Sequence, residues 1–359
     1  MGTYRLGVLD GDAVGPEIVG AAVSVLQAAT TIYGQGTDFD YLPLPIGYEA
    51  FASDHEPVPE RTKAGLRQVD GWLMGPHDNA AYPAEMQRTR NPSGELRHTF
   101  DLYANIRPSR TLPGCHSLVG DADLIIVREN SEGFLSDRNM YQGTGEAMVT
   151  PDVALTSGAF TRKAITRIAH TAFDLAKKRR QKVTIVHKAN VLKYSFGLFR
   201  DVCYEVAKEY SEVTVNDMHI DAFTAHLVRN AQQFDVVVTE NLFGDIVSDL
   251  AGELVGSLGM SASINTNGTQ AMAQAAHGAA PDIAGQNIAN PTSMILSTAM
   301  LLDWLGTKRQ DPTLNALGQI ITTAVDQTLV QGIHTRDLGG TASTTDFVAA
   351  VIMNLAPQD

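Results

Sequence analysis

Cysteine is nearly absent. Cys115 and Cys203 are the only two in 359 residues, too few for a disulfide framework and without C-x-x-C or metal-ligand spacing, so both are expected to be reduced and structural. Positive charge is scarce too: 27 Lys and Arg stand against 40 Asp and Glu, a formal net charge of −13 that repels a polyanion and excludes nucleic acid as an expected partner. Long apolar runs are missing. Stretches such as Phe347 to Met353 and Met294 to Leu302 fall well short of the ~18 residues that span a bilayer, so no membrane helix is expected. The opening MGTYRLGVLDGD has no basic stretch ahead of a long apolar one, and Leu6 stands where myristoylation needs Ser or Thr, which leads to the expectation of a cytoplasmic protein. What is present is apolar bulk. With 44% hydrophobic and 19% charged residues the chain can bury a core, which excludes disorder as its main state, and its length suits about two domains.

Short β-branched runs alternate with longer amphipathic ones. Tyr4 to Leu9, Asp123 to Val127, Lys182 to His187 and Phe234 to Thr239 read as strands bounded by polar residues. Between Thr161 and Arg180 the apolar residues Ile165, Ile168, Ala169, Ala172, Leu175 and Ala176 recur at helical spacing, and the stretch ends in KKRR, a cationic helix C-terminus. Similar patterns cover Pro16 to Tyr33, Phe196 to Tyr210, Asp245 to Leu258, Pro291 to Leu305 and Pro312 to Val330, which makes the class α/β, with a mixed sheet expected. The segment Asp137 to Ser157 carries Gly143, Gly145 and Pro151 without an apolar period and reads as an arm.

Several segments have the residue types for chemistry. In DGDAVGPEI, Gly11 and Gly15 permit a tight turn and Pro16 suits a helix start; the turn either receives a phosphate or simply joins strand to helix, and its spacing is not G-x-G-x-x-G. In NLFGDIVSDLAGEL, Asp245 and Asp249 are four apart and share one helix face after a strand. They are either a solvated acidic pair or hard oxygen ligands for Mg²⁺ or Mn²⁺. Arg97, Arg107, Arg110 and Arg128 suit bidentate clamping of carboxylates, with surface ion pairing as the alternative. Lys188 directly follows a strand, where a lysine is a candidate general base. The loop HGAAPDIAGQNIANP is small enough for close backbone approach to a flat ligand, and its Asp282 suits ribose hydroxyls over a 2′-phosphate.

Together DGDAVGPEI, LRHTFDLYANIRP, IIVRENSEG, HKANVL, IDAFTAHLV, ENLFGDIVSDLAG and HGAAPDIAGQNIANP, in this order over nearly the whole chain, resemble the isocitrate/isopropylmalate dehydrogenase family of metal-dependent, β-decarboxylating dehydrogenases. The resemblance implies a two-domain, isopropylmalate dehydrogenase-like α/β fold with a mixed sheet that is not a Rossmann fold. One domain, on the cofactor side, would comprise residues 1–102 and 257–359; the other would comprise 103–256, with an arm at about 137–157 clasping a second subunit. It also implies that Arg97, Arg107 and Arg128 grip the carboxylates of a 2-hydroxy dicarboxylate or tricarboxylate. Asp245 and Asp249 of one subunit and Asp221 of the other would hold Mg²⁺ or Mn²⁺, with Lys188 as base and Asn190 binding substrate from that partner. NAD would lie against Gln274, His277, Gly278, Ala280, Asp282, Ile283 and Asn290, in a homodimer or dimer of dimers.

Three positions depart from the family pattern. Seven residues after Arg128, where a tyrosine acid is usual, stands Leu135; where an acidic residue is usual stands Gln274. The substrate-selecting segment reads RNPSGE, so that Arg90, Asn91 and Ser93 offer donors where leucine-pathway members carry leucines. The expected activity is NAD-dependent oxidative decarboxylation of malate or a 3-substituted malate, with isocitrate-, homoisocitrate-, tartrate- or D-malate-like substrates ahead of 3-isopropylmalate. The alternative suggested by Leu135 and Gln274 is a catalytically impaired or regulatory subunit of a hetero-oligomer.

Overall fold

A computed structural model describes residues 2–87, 90–135 and 145–356. In chain order the first elements are β1 (Thr3–Leu9), α1 (Gly15–Tyr33), β2 (Asp38–Pro43), α2 (Gly47–Asp54), α3 (Glu60–Leu66), β3 (Gly71–Met74), α4 (Ala84–Gln87) and α5 (Pro92–Thr99). Next come β4 (Ala104–Arg110), β5 (Asp123–Glu129), β6 (Glu146–Thr150), β7 (Val153–Thr156), α6 (Arg162–Lys177), β8 (Lys182–His187), α7 (Ser195–Ala207) and β9 (Thr214–His219). The chain continues with α8 (Ile220–Arg229), β10 (Val236–Thr239), α9 (Asn241–Val255), β11 (Ile264–Thr266), β12 (Ala271–Gln274), α10 (Thr292–Arg309), α11 (Pro312–Val330) and α12 (Thr344–Asn354).

Two compact units result. The first comprises Met1–Leu96, Leu112–His116 and Gly256–Asp359, the second Arg97–Thr111 and Ser117–Val255. By compactness, then, residues 97–102 group with the second unit and 112–116 with the first, whereas the sequence reading drew its boundary after 102. Within the first unit the strand order is β2-β1-β3-β12-β11, parallel except for β11 against β12. Within the second it is β4-β5-β10-β8-β9, parallel except for β4 against β5. Both are mixed, which separates this α/β fold from the all-parallel dinucleotide-binding sheet.

The second unit shows how pattern becomes packing. Leu124, Ile126, Val186 and Val237 from the strands close on Phe223, Leu227, Val247, Ala251 and Leu254 from α8 and α9, all buried. Each such side chain is worth about 1.5–3 kcal/mol of transfer free energy. Thr161 caps α6 by accepting the Ala164 N–H, and of the predicted apolar stripe of that helix Ile165, Ile168, Ala169, Ala172 and Ala176 are buried and Leu175 is half-buried. Its basic end does more than face the helix dipole: Arg179 binds Asp123 at 2.9 Å and Asp235 at 2.8 Å, tying α6 to the start of β5 and the residue before β10.

Helix α9 starts at Asn241, four residues before the sequence reading placed it. The reason is Glu240, whose carboxylate accepts the Leu242 and Phe243 N–H groups at 3.0 and 2.7 Å and caps the helix. β6 and β7 form an exposed antiparallel hairpin within the expected arm, while residues 137–144 of that arm lie outside the described residues, among them Tyr141, the sequence's other candidate for the proton that Leu135 cannot give. Among the described residues no helix is long and apolar enough to cross a membrane.

Candidate functional site

Arg107 on β4 and Arg128 on β5 come from an antiparallel pair whose register places Arg107 opposite Ile126 and Asn105 opposite Arg128. Both guanidinium groups turn onto one face of α9, where Asn241, Asp245, Ser248 and Asp249 follow the helical period. Arg107 Nη1 donates to Asp249 Oδ1 at 2.8 Å and to Ser248 Oγ at 2.7 Å, while its Nε donates to Asn105 Oδ1 at 2.7 Å. Arg128 donates to Asp245 through Nη1 and to Asn241 Oδ1 through Nε and Nη2, at 3.0 and 2.7 Å. The stem of Arg128 lies so close to α9 that a Cβ on Gly244 would stand 2.5 Å from its Cγ, and only glycine fits there.

Exposure divides this cluster. The arginine side chains expose 8% and 1% of their area, whereas Asp245 and Asp249 expose 46% and 48%, so the carboxylates are the open face. Burial pushes the Asp249 carboxyl up and neighbouring Asp245 adds to it, against the pull of Arg107 and Arg128. Two hard carboxylates, four residues apart and open to solvent, are a donor set that fits a divalent cation. Among the described residues no three His, Cys, Asp or Glu side chains gather to hold a metal, so Asp221 does not join Asp245 and Asp249 within one chain. Arg97 is buried in the last turn of α5.

Lys188 and Asp221 form a second cluster. Nζ of Lys188 donates to Asp221 Oδ1 at 2.6 Å, and that hydrogen bond holds the Asp221 carboxyl below the usual carboxylate range. Asn190 is exposed, and beside it Val191, Leu192 and Tyr194 present 64%, 40% and 95% of their area to solvent, a large apolar surface for one turn.

The HGAAPDIAGQNIANP loop lines a cavity of about 640 Å³ in the first unit, with His277, Gly278, Ala280, Ile283 and Asn290 in its wall. Nδ1 of His277 donates to the Gly278 carbonyl at 2.9 Å, and burial pushes the pKa of the ring below the usual imidazole range. Its Nε2 is shut off from solvent without a hydrogen-bond partner among the described residues, an acceptor left for a ligand that carries a donor. This orphan and the small-residue wall fit a flat nucleoside. Two sequence candidates stand outside the wall: Asp282 is exposed on the adjoining turn, and Gln274 is buried and donates from Nε2 to Ser93 Oγ at 2.8 Å. Asp337 was missed. It lines the cavity, held by Asn290 Nδ2 at 2.9 Å, Ser257 Oγ at 2.8 Å and Thr335 Oγ1 at 2.6 Å. Its signal in the sequence is RDLGG, a short turn ended by Gly339 at φ +78°.

The segment expected to select substrate is less open than its composition suggests. Asn91 Oδ1 accepts the Gly94 N–H at 2.6 Å and so caps α5, and Arg90 lies 3.7 Å from Glu95. Of the three donors expected there, two are thus partly engaged locally, and Ser93 remains the one set beside Gln274. The DGDAVGPEI turn is already filled. Asp12 is buried and accepts the Tyr48 and Asp78 N–H groups at 2.9 and 3.2 Å together with the Tyr82 hydroxyl. Burial alone would raise this carboxyl, but the His77 ring 3.6 Å away and the hydrogen bonds from Tyr82 and Tyr48 outweigh it and hold it below the usual range. An internal carboxylate holding these donors repels a phosphate, so the turn is structural.

A family model described as isocitrate/isopropylmalate dehydrogenase matches residues 5–351. The chain is 37% identical over 356 residues to a 3-isopropylmalate dehydrogenase of Methanothermobacter thermautotrophicus, covering 99% of each. It is 39% identical over 357 residues to an isocitrate/homoisocitrate dehydrogenase of Thermus thermophilus, covering 97% of this chain and 98% of the relative. The solved isocitrate dehydrogenase from Methylococcus capsulatus superposes with a TM-score of 0.87 at 35% identity, over 98% of this chain and 99% of that one.

Proposed function

Because the chain belongs to the isocitrate/isopropylmalate dehydrogenase family, we propose that it oxidises and decarboxylates malate or a 3-substituted malate, with NAD as hydride acceptor and Mg²⁺ or Mn²⁺ as its ion. The observation that carries this reading is the pairing of buried Arg107 and Arg128 with half-exposed Asp245 and Asp249 on α9. Two fixed cations aimed at carboxylates are a ready grip for a dicarboxylic acid.

Asp245 and Asp249, with Asp221 of a second copy, would hold Mg²⁺ or Mn²⁺, which when bound acidifies the substrate hydroxyl and offsets negative charge as CO₂ departs. Arg107 and Arg128, joined by Arg97, would exchange their aspartate partners for substrate carboxylates and so fix the orientation of the hydroxy acid. Lys188 of the second copy would take the hydroxyl proton, and NAD, when bound, would supply the acceptor for the C2 hydride, so that a 2-keto acid and NADH result. The bond from C3 to its carboxyl group then breaks, CO₂ leaves, and the enolate takes a proton at C3. Asn190 and the exposed Val191, Leu192 and Tyr194 beside Lys188 support a homodimer or a dimer of dimers, with the β6–β7 hairpin as clasp.

The relatives in hand act on different 2-hydroxy acids by name, so the C3 substituent is read from this chain's own donors. Gln274 supplies the hydrogen to Ser93 Oγ, which leaves the Ser93 hydrogen free to donate. Ser93 is half-buried, and a donor that bound substrate covers without an acceptor costs ~1–3 kcal/mol, so a polar or anionic C3 group is expected over isopropyl. Purified protein assayed for NADH with Mn²⁺ and a panel of 3-substituted malates tests this; the highest kcat/KM for 3-isopropylmalate would sink the polar pocket. The catalytically impaired subunit suggested by Leu135 would bind these acids without forming NADH, so the same assay separates the two readings.

NAD is expected to be preferred over NADP by at least about tenfold, for which ~1.4 kcal/mol suffices. Asp337 in the cavity wall and Asp282 beside Ile283 both repel a 2′-phosphate, against one lining cation among the described residues, Arg336. Equal kcat/KM with the two cofactors would remove this assignment.

A further inference from the structure

His187 ends β8 one residue before Lys188, is fully buried, and carries two hydrogen bonds that leave its ring in opposite directions. The Ala189 N–H lies 3.1 Å from Nδ1, and Asp217 Oδ2 lies 2.8 Å from Nε2. A backbone N–H can only donate, so Nδ1 holds the lone pair and the ring proton sits on Nε2, donated to Asp217. Asp217, on β9, is held in turn by the Tyr204 hydroxyl of α7, 2.6 Å from its Oδ1. His219, opposite His187 in the β8–β9 register, meets the ring edge-on at 5.3 Å.

The bond to Ala189 spans Lys188. A side chain thus closes a short loop whose middle residue is the lysine, and Lys188 O accepts the Val191 and Leu192 N–H groups at 3.1 and 3.0 Å on the far side. With the backbone fixed before and after it, the lysine stem leaves the strand end in one direction and its Nζ meets Asp221.

We infer that His187, oriented by Asp217 and Tyr204, is a positioning residue for Lys188: its Nδ1 lone pair holds the Ala189 amide and with it the direction of the lysine. The inference rests on the proposed role of Lys188 as base. Its chemistry predicts an uneven pattern of variants. Asn at this position offers an acceptor where Nδ1 stood and loses the link to Asp217. Gln keeps a donor for Asp217 but has no acceptor at the δ position, and Phe keeps only the bulk.

The test is to measure kcat and KM for the best hydroxy acid of the panel, and amide hydrogen exchange at Ala189, in wild type and in His187→Phe, His187→Gln and His187→Asn. Misplacing a reacting group by ~1 Å can cost ~10²-fold. His187→Phe and His187→Gln are therefore expected to lower kcat by about ten- to a hundredfold, with KM within about twofold because the arginine grip is untouched. Both should speed exchange at Ala189, whereas His187→Asn should stay within about threefold of wild type in kcat and keep the amide protected. If His187→Phe does not fold, the Asn and Gln pair carries the comparison, and equal kcat for those two overturns the inference. Loss of protection at Ala189 with unchanged kcat overturns it as well. A wild-type protein that oxidises none of the panel would instead bring down the proposed function. The exchange measurement then still reads His187 alone, and an Ala189 amide that is unprotected, or indifferent to His187→Phe, overturns the inference independently.

Discussion

Asp245→Asn is expected to lower kcat/KM by about a thousandfold or more while the protein stays folded, and EDTA is expected to do the same to the wild type until Mn²⁺ is restored. The size follows from chemistry. An alcohol holds its proton at neutral pH, and a divalent charge beside it supplies several kcal/mol that no residue of this chain replaces. The fold survives because the Asp245 side chain is half-exposed and Asn keeps an oxygen that accepts from Arg128. Mn²⁺ binding, followed by paramagnetic resonance without substrate, should weaken in Asp245→Asn and in Asp249→Asn alike. Full turnover after exhaustive treatment with chelator would end the metal assignment.

Leu135→Tyr is expected to raise kcat at least tenfold. Once CO₂ has left, C3 of the enolate needs a proton, and leucine has none to give, whereas a positioned acid is worth ~10²- to 10⁴-fold. The segment that would present the phenol is well anchored. Glu129 accepts the Ser131 and Glu132 N–H groups at 2.9 and 2.7 Å, and Gly133 bridges Ala159. Phe134 lies edge-on to Phe160 at 5.8 Å and stacks with Phe196 at 6.4 Å. A ring at position 135 therefore starts from a rigid base and loses little entropy on being placed. The parent protein should form NADH detectably but turn over slowly. If Leu135→Tyr folds, binds substrate normally and shows no gain while Tyr141→Phe silences the parent, Tyr141 is the acid and position 135 is a bystander.

Features with a short period were legible from the residues alone. The stripe from Ile165 to Ala176 and the shared face of Asp245 and Asp249 follow from spacings of three to four, which geometry imposes on any helix, while Lys182–His187 and Asp123–Val127, which runs on to Glu129, showed as short β-branched runs between polar residues. The start of α9 was misjudged because Glu240 reads as the end of a strand until its carboxylate is seen to cap the helix. Asp337 was missed because nothing in RDLGG distinguishes a cavity wall from an ordinary turn.

What the amino-acid order determined by itself is therefore the α/β class, four of the strands and six of the helices, and the presence of an arginine and aspartate set suited to a hydroxy acid. Tertiary structure alone decided which charges meet. Arg107 finds Ser248 from 141 positions away, Gln274 finds Ser93 from 181, and His187 finds Asp217 across a neighbouring strand. The physical reason is that a side chain's partner, unlike its helical or strand period, is set by the packing of whole elements. Asp12 shows the consequence: the turn that looked open to a phosphate is closed by its own buried carboxylate, whose donors arrive from α2 and from the stretch after β3.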